Sequence, residues 1–488
     1  MPLTHRLVSR RLIFCGICSA FILAQAIGGV KIAITTGSED ARKEFLRGRE
    51  LFENLKRQDA APHFKKALAI DPSFALAAAY YAQSEGTARG FFDNLAHAGE
   101  LARNVTEGER SLILGWQAGA AGRIADQRTH WERAVALFPE DERALTLLGI
   151  HYFGQQEYRQ AAEYFKKAVS VNPAFPQAYN QLGYAQRFLG DMAAAEHAFQ
   201  RYTELIPDDP NPHDSYAELL LKLGRFDDAV ATYRKALAVD PGFIASYVGI
   251  AAARMYQDRP GDARGEVAAM LSHAHDNGDR RFAYFVSTLT YIEEGKTEEA
   301  IAEMKKEYAI AEKMGDAASM GADLGTMAAI RYEAGQIDEA ERLYAEALKA
   351  VEGSALKEEV KSLTRVGNRY NRAMIAAARG EFGQARKEAA DLQREAEGLS
   401  NANLVRLAHE AKGRIALMQK EYAVAIAELQ QASDQNPYNL YRLGIASRAL
   451  GRAEDAGRWF GAAGRFNGLP LLNYAFIRSA AQKAIAEK

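Results

Sequence analysis

The sequence predicts an all-helical solenoid, in which pairs of antiparallel helices stack one after another along the chain. The first observation behind this prediction is a proline that recurs every 34 residues, at Pro139, Pro173, Pro207 and Pro241. A proline just beyond a helix end prevents the helix from continuing, so each of these prolines marks the end of one unit. The second observation is that small and aromatic residues occupy fixed positions before these prolines.

The fixed positions appear when the units are aligned on their prolines, with Pro72 included. In the units that end at Pro72, Pro173, Pro207 and Pro241, an alanine stands twelve residues before the proline, and an aromatic residue stands eight before it. The alanines are Ala60, Ala161, Ala195 and Ala229, the aromatic residues are Phe64, Phe165, Phe199 and Tyr233, and the first half of the unit carries Gly48, Gly115, Gly149, Gly183 or, in one unit, Ala217. Small residues let two helix axes approach closely, and the aromatic ring fills the space that is left against the next unit.

These columns resemble the tetratricopeptide repeat, a 34-residue unit of two antiparallel helices with small, small and aromatic residues at those places. The resemblance implies a superhelix, because one helix pair cannot bury its apolar face alone and neighbouring pairs must stack. We therefore expect about twelve units between residues 41 and 468.

The spacing of the units changes along the chain. Beyond Ala263 the anchor alanines continue at Ala300, Ala340, Ala385, Ala425 and Ala456, with spacings of 37, 40, 45, 40 and 31 residues. We expect a regular array at residues 41–275, an irregular array of longer helices or loops at 276–468, and a closing helix at 469–488. Such an array needs a capping element at its end.

The N-terminus differs in composition from the rest of the chain. Arg10 and Arg11 precede an uncharged run of 19 residues from Leu12 to Val30, and Ala24-Gln25-Ala26 has the small-x-small pattern of a signal peptidase site. We interpret residues 1–26 as an export signal and residues 27–40 as a linker, which predicts a bacterial protein of the periplasm or cell envelope. The alternative is an uncleaved anchor in the inner membrane, because 19 uncharged residues just reach spanning length.

Composition and motifs argue against an enzyme or a general nucleic-acid binder. The net charge is −2, without the excess of basic residues that a nucleic-acid binder shows. Both cysteines, Cys15 and Cys18, lie in the predicted signal, so the mature chain would have no thiol for a metal or a nucleophile. Gly295-Lys296-Thr297 lacks the preceding glycine of a phosphate-binding loop and is interpreted as a turn between helices. We expect no cofactor, no metal and no catalytic residues.

Binding is the function that remains, and the resemblance implies where it occurs. In this family the first helix of each unit lines a concave groove. The residues carried into that groove here are Trp116, Arg143, Thr146, Phe153, Gln177, Asn180, Tyr184, Arg187, Asn211 and Asp214. Amides and arginines can bond a peptide backbone or carboxylate while rings cover its side chains. The alternative is that Trp116 and Phe153 pack between helices and that the polar groups are solvated.

A second candidate is a basic strip in the irregular array. Lys357, Lys361, Arg365, Arg369 and Arg372 recur at spacings of four, four, four and three, which places them along one face of a helix. One interpretation is a surface for an acidic partner or an anionic glycan. The other, which we favour, is a solvated face paired with local acids such as Glu358.

The function predicted from the sequence is that of a non-catalytic scaffold of the cell envelope, which binds segments of partner proteins or peptides in the concave groove. The alternative is a membrane-anchored regulatory or sensor subunit, whose repeats control another protein. The sequence indicates neither the partner nor the oligomeric state.

Overall fold

A computed structural model describes residues 31–54, 56–85 and 87–487, and within these residues it is built of α-helices with no β-strand. The predicted export signal, residues 1–26, lies outside the described residues. The helices are α1 (Glu39–Glu53), α2 (Arg57–Ile70), α3 (Ala75–Gln83), α4 (Ala88–Leu101), α5 (Glu107–Ala120), α6 (Ile124–Leu137), α7 (Glu142–Gly154), α8 (Tyr158–Val171), α9 (Pro176–Phe188), α10 (Met192–Leu205), α11 (Pro210–Lys222), α12 (Phe226–Val239), α13 (Ile244–Tyr256), α14 (Pro260–His273), α15 (Asn277–Glu293), α16 (Thr297–Met314), α17 (Ala317–Glu333), α18 (Ile337–Glu352), α19 (Glu358–Ala378), α20 (Phe382–Gly398), α21 (Ala402–Met418), α22 (Tyr422–Leu429), α23 (Pro437–Ala449), α24 (Ala453–Gly464) and α25 (Leu472–Ala486), with a short 3-10 helix at Ala102–Asn104.

The helices form twelve consecutive pairs, from α1 with α2 to α23 with α24, and α25 follows the last pair. We call the odd-numbered helix of each pair its first helix and the even-numbered helix its second. This arrangement confirms the predicted all-helical solenoid of about twelve units. The recurring prolines lie where the sequence places them, since α8 ends at Val171 before Pro173 and α10 ends at Leu205 before Pro207.

From α5 with α6 onward, each pair turns on one residue in the left-handed backbone region, just after the end of its first helix. Gly190 has a φ of +81° and Gly295 a φ of +72° at this place, which confirms that Gly295-Lys296-Thr297 is a turn. Glycine adopts this conformation without a steric penalty because it has no Cβ. Gln156 and Lys420 occupy the equivalent position with φ values of 61° and 63°, so the turn geometry recurs even where glycine is absent.

The small and aromatic columns interlock as predicted in the regular array. Ala195 and Phe199 of α10 have no exposed surface, and a Cβ added to Gly183 would lie 2.6 Å from the Phe199 ring. Gly149 stands in the same relation to Phe165, at 2.5 Å. The ring of the second helix therefore occupies the space where the first helix has no side chain. Such close packing fixes the distance between the two helix axes.

The described part of the predicted linker docks on the solenoid in an extended conformation. The backbone N–H of Ile32 donates to Asp141 Oδ2 at 2.9 Å, and that of Thr35 donates to Glu109 Oε1 at 2.7 Å. The Lys31 ammonium pairs with Glu142. Residues 31–38 therefore form a strap whose groups bond to carboxylates of the solenoid. Two of these residues, Glu109 and Asp141, are at most 3% exposed.

The end of the array packs back against its middle. Lys222 Nζ of α11 donates to the Phe466 carbonyl at 2.6 Å, and Tyr256 Oη of α13 donates to the Gly468 carbonyl at 2.6 Å. Arg478 of α25 is 5% exposed and donates to the Tyr256 carbonyl at 2.8 Å. The closing helix thus packs on α23 and α24 and also on α15, a first helix of the middle of the array. Among the described helices, none is long and apolar enough to cross a membrane.

Candidate functional site

The first helices α9, α11 and α13 are joined by side-chain hydrogen bonds on the face where the groove is predicted. Tyr184 Oη donates to Glu218 Oε1 at 2.9 Å, and the Arg187 guanidinium pairs with Glu218 Oε2 at 3.1 Å. Ser246 Oγ donates to Asp214 Oδ1 at 2.7 Å. The sequence therefore identified residues that the fold brings together, but the partners of these residues are other first helices.

Four of the predicted groove residues are buried. Thr146, Asn180, Asn211 and Asp214 are between 2% and 7% exposed. The expectation that they are open to a bound segment is wrong, because they bond within the solenoid. Asn211 Oδ1, for example, accepts from Tyr202 Oη at 2.8 Å and from Asn180 Nδ2 at 3.4 Å.

Three further predicted residues are engaged by parts of the chain distant in sequence or by other rings. Arg143 at the start of α7 donates through Nε to Glu53 Oε1 of α1 at 2.6 Å. Trp116 meets the Tyr80 ring edge-on at 5.4 Å between centroids, and Phe153 meets Phe188 at 5.3 Å. Packing between helices, the alternative for the two rings, is what the structure shows. Gln177 lies half-buried near the start of α9.

Burial raises the pKa of one acid in this network, Asp214. It raises the pKa of the Asp214 carboxyl to about 8, and the neighbouring Glu218 carboxyl adds to the rise. A buried carboxylate without a cation of its own is costly, so the neutral acid is favoured. Arg187 bonds Glu218 and leaves Asp214 with a hydroxyl partner only.

Free volume adjoins this network where the end of the array closes over α9 and α11. We call it the groove cavity; its volume is about 800 Å³, within the range typical of binding pockets. Its lining on the array side is Tyr158, Arg187, Phe188, Met192, Glu218 and Lys222, and on the closing side it includes Leu440, Arg458, Arg465, Phe466 and Leu469. Gly190, Asp434, Ala462 and Arg465 are exposed lining residues, so the cavity is accessible from solvent.

Aromatic rings and cations together form the wall of the groove cavity. Tyr158 stacks on Phe188 at 4.7 Å between centroids, and the Arg187 guanidinium lies 5.1 Å from the Phe188 ring. Lys222 Nζ lies 4.1 Å from the centroid of the Phe466 ring. Burial lowers the pKa of the Lys222 ammonium to about 8, and the nearby Arg187 adds to this effect. The wall therefore offers apolar surface beside positive charge.

Sequence reasoning found Arg187 and missed the rest of the cavity. Lys222 lies at the end of α11, beyond Asn211 and Asp214, and no sequence signal separates it from an ordinary solvated lysine. Phe466 lies 244 residues further along the chain, and only the folding back of the array brings it to Lys222.

The predicted basic strip is largely neutralised by acids of neighbouring helices. Arg369 pairs with Glu395 at 2.7 Å and with Glu388 at 3.0 Å, and Arg372 pairs with Glu388. Arg365 pairs with Glu352 and with Glu358, the acid named from the sequence. Lys361 Nζ donates to the carbonyls of Glu352 and Ser354, both at 2.8 Å, whereas Lys357 is exposed just before α19. Local pairing is therefore the state of this strip.

Among the described residues, no group of three or more His, Cys, Asp or Glu side chains is placed to hold a metal ion. Stacked helix pairs with a bonded inward face and an adjoining cavity define the class of helical-repeat proteins. Models of the tetratricopeptide repeat match residues 146–210 and 214–243. This part of the chain therefore contains tetratricopeptide repeats. Such repeats generally serve as protein-interaction modules and are typically non-catalytic.

Curated relatives share parts of the chain. Human protein arginine N-methyltransferase 9 is 37% identical over 86 residues, which is 17% of this chain and 10% of the relative. The anaphase-promoting complex subunit CDC16 of Saccharomyces cerevisiae is 26% identical over 192 residues, 38% of this chain and 23% of the relative. Tetratricopeptide repeat protein 33 of Xenopus laevis is 31% identical over 112 residues, which is 22% of this chain and 42% of the relative. The chain thus spans less than half the length of each of these relatives.

Solved structures with the same repeat superpose loosely. A tetratricopeptide repeat protein from Parabacteroides merdae has a TM-score of 0.36 and 14% identity, covering 56% of this chain and 94% of that one. MamA has a TM-score of 0.29 and 22% identity, covering 34% of this chain and 91% of its own. Because both TM-scores are below 0.5, these structures indicate nothing about the function of this chain.

Proposed function

We propose that this chain is an exported, non-catalytic scaffold that holds a segment of a partner protein at the groove cavity. The observation that carries the proposal is that much of the predicted inward face is consumed by its own hydrogen bonds, whereas about 800 Å³ beside Arg187 is free. Rings at Phe188 and Phe466 offer the buried apolar surface that anchors of a partner occupy. Gly190 and Ala462 line the cavity and are exposed, so its edge is accessible to a partner side chain.

The charge distribution supports a protein partner over a nucleic acid. The net charge is −2, and the arginines of the basic strip are already paired with carboxylates of the same chain. Binding to a phosphate backbone depends on several cations that are free to replace counterions. A single mixed pocket of rings and cations instead fits one anchoring segment of a protein.

The export part of the proposal is tested by sequencing the N-terminus of the protein recovered from cells. A mature start at Ile27 supports cleavage and release on the far side of the membrane. An N-terminus that retains residues 1–26 in the membrane fraction instead supports the membrane-anchored regulatory subunit.

The site is tested by cross-linked pull-down from the envelope fraction with the tagged full chain. Ala462→Trp places an indole at the exposed edge of the cavity without changing charge, and we expect it to abolish capture of the partner. The matched control is Ala302→Trp, because Ala302 is also exposed, on the second helix α16, and does not line the cavity. Circular dichroism checks that both variants keep their helices.

A partner captured equally by the wild type and by Ala462→Trp would exclude the groove cavity as the site. Loss of capture in both variants would mean that the bulky side chain, and not its position, is responsible. A turnover activity that survives purification and is lost with one point substitution would contradict the non-catalytic part of the proposal.

A further inference from the structure

The cations that line the groove cavity are not all satisfied by the chain itself. Four cationic side chains line it, Arg187, Lys222, Arg458 and Arg465, against the two carboxylates of Glu218 and Asp434. Arg187 is paired with Glu218 at 3.1 Å, and Arg458 is paired at 2.9 Å with Asp455. Lys222 and Arg465 form no ion pair with a carboxylate in the part of the chain that the structure describes. Asp434 is exposed at the rim.

Lys222 is the cation whose position is most constrained. Its ammonium donates to the Phe466 carbonyl at 2.6 Å and stands 4.1 Å from the Phe466 ring centroid. An ammonium group has three N–H donors, and the carbonyl takes one of them. A partly buried cation without a counter-charge is destabilising, and burial lowers the pKa of Lys222 to about 8. The fold therefore holds a positive group against apolar surface at a cost to stability.

The apolar part of the wall surrounds this charge. Phe188 and Tyr158 are stacked on the array side, and Met192, Leu440 and Leu469 also line the cavity. A purely apolar ligand would leave the ammonium uncompensated, and a purely ionic ligand would leave the rings without a contact. A ligand that has both parts satisfies the two requirements together.

We propose that the groove cavity selects an apolar group that carries one negative charge, presented by the partner as an aromatic or aliphatic side chain beside a carboxylate. Lys222 and the exposed Arg465 supply the cations, and Phe188 and Phe466 supply the apolar contact. This inference rests on the proposed function, because it names the chemistry of the partner segment at the same site.

The chemistry is tested on the purified full chain by isothermal titration calorimetry with three matched probes. 4-Phenylbutyrate, 4-phenylbutanol and 4-phenylbutylamine share one ring and one alkyl chain and differ in the charge of the head group. We expect the carboxylate to bind about tenfold or more tightly than the alcohol, because a charge-assisted hydrogen bond is worth more than a neutral one. The amine is expected to bind most weakly of the three.

Substitutions assign the preference to the named cation. Lys222→Met removes the ammonium and keeps an unbranched apolar stem, so it should remove the preference for the carboxylate and leave the affinity for the alcohol unchanged. Lys235→Met, an exposed lysine on the second helix α12 that does not line the cavity, is the matched control and should behave like the wild type. Thermal unfolding shows whether both variants fold; Lys222→Met should be at least as stable as the wild type, because it removes a cation that lacks a counter-charge.

Equal affinity for the three probes in the wild type would overturn the proposed anion preference, as would a carboxylate preference that persists in Lys222→Met. In either case the proposed function would stand if the wild type captures the partner and Ala462→Trp does not. If Ala462→Trp still captures the partner, the groove cavity is not the binding site, and the proposed function is contradicted as well. If the preference for the carboxylate is confirmed, 4-phenylbutyrate should also compete with the captured partner, and 4-phenylbutylamine should not.

Discussion

The regular array and the irregular array use the same alanine column but hold their helices together differently. Ala161, Ala195 and Ala229 in the first and Ala300, Ala340 and Ala385 in the second all have no exposed surface. Four residues after the alanine, the regular array places a buried ring, as at Phe165, Phe199 and Tyr233. The irregular array places Met304, Tyr344, Ala389, Leu429 and Phe460 there. The ring that interlocks two helices is therefore optional after the middle of the chain.

Buried ion pairs take over where the ring is lost. Glu388, beside Ala389, is 1% exposed and is held by Arg369 and Arg372 of the preceding first helix. Arg281 of α15 binds Asp323 of α17 at 2.7 Å and Glu307 of α16 at 3.3 Å. Long ionic side chains can bridge two helices at variable distances, whereas a ring packed against a glycine allows only one distance between the helices. The spacings of 37 to 45 residues in that region, against 34 before it, follow from its longer helices, such as the 18 residues of α16 and the 21 of α19 against the 14 of α10.

Open space accompanies the ion pairs. Two gaps of about 340 and 290 Å³ lie beside α18 and α19 and share Tyr344, Leu348, Asn368 and Asn371. A Cβ added to Gly367 would meet nothing within 4 Å, in contrast to Gly183. Interdigitated packing therefore holds the helices at Gly183, whereas free space remains beside α18 and α19.

Among substitutions that test the difference between the two arrays, we expect the largest loss of stability at Arg281. Arg281→Met leaves the two buried acids Glu307 and Asp323 without the cation that both contact, and we expect a loss of about 3–5 kcal/mol in the free energy of unfolding. Urea unfolding at neutral pH, followed by circular dichroism, measures it. Arg280→Met, at the exposed neighbour on the same helix, should change the midpoint little. A loss of stability at Arg281 no larger than that at Arg280 would show that the ion pairs of Arg281 do not stabilise the fold.

The interlocked packing of the regular array is tested at Ala195. Ala195→Leu forces a larger side chain between helices that already touch, and we expect a loss of about 1–3 kcal/mol in the free energy of unfolding. The same measurement on Ala193→Leu, an exposed position of α10, gives the control. A neutral result at Ala195 would mean that the register of the repeat has been assigned wrongly.

The irregular array should respond to pH through its buried acids. Burial, with Asp323 next to it, raises the pKa of Glu307 to about 8, although Arg281 opposes the rise. Burial also raises the pKa of Asp323. A raised folded pKa contributes stability that is complete below the unfolded pKa, about 4.3, and is lost as pH rises through about 8.

The measurement is the urea midpoint of the wild type and of Glu307→Gln between about pH 5 and pH 8.5. The wild type should lose at least about 1.4 kcal/mol over this interval, the value of one pKa unit, and the variant should lose less. Glu299→Gln, at an exposed glutamate of the same helix, should follow the wild type. Parallel curves for the wild type and Glu307→Gln would contradict a raised pKa at this carboxyl.

The smallest effect distinguishes the two kinds of stacking by sign. Gly367→Ala adds a methyl group to open space in a helix and should stabilise the chain by about 0.5–1 kcal/mol. Gly183→Ala adds the same group 2.6 Å from the Phe199 ring and should destabilise it. Thermal unfolding of the two variants measures both changes in stability. Changes of the same sign would contradict the difference in packing between the two arrays.

The fold was predictable from the sequence because each repeat is a local pattern. The prolines after α8 and α10, the buried alanines and the rings at Phe165 and Phe199 act within or between adjacent helices, so their spacing carries the information. The predicted site was less predictable. It placed Tyr184, Arg187 and Asp214 on the inward face, yet it could not show that their partners are Glu218 and Ser246 of the same solenoid.

The sequence by itself determined the helix pairs, their number and the end of the regular spacing near Ala263, because short-range packing and helix stop signals govern all three. The tertiary structure alone decided which inward-facing groups remain free. The curvature of the array brings Arg143 to Glu53 and Phe466 to Lys222, pairs separated by 90 and 244 residues. Curvature accumulates from small rotations between many units, and no single repeat encodes where the last unit meets the middle.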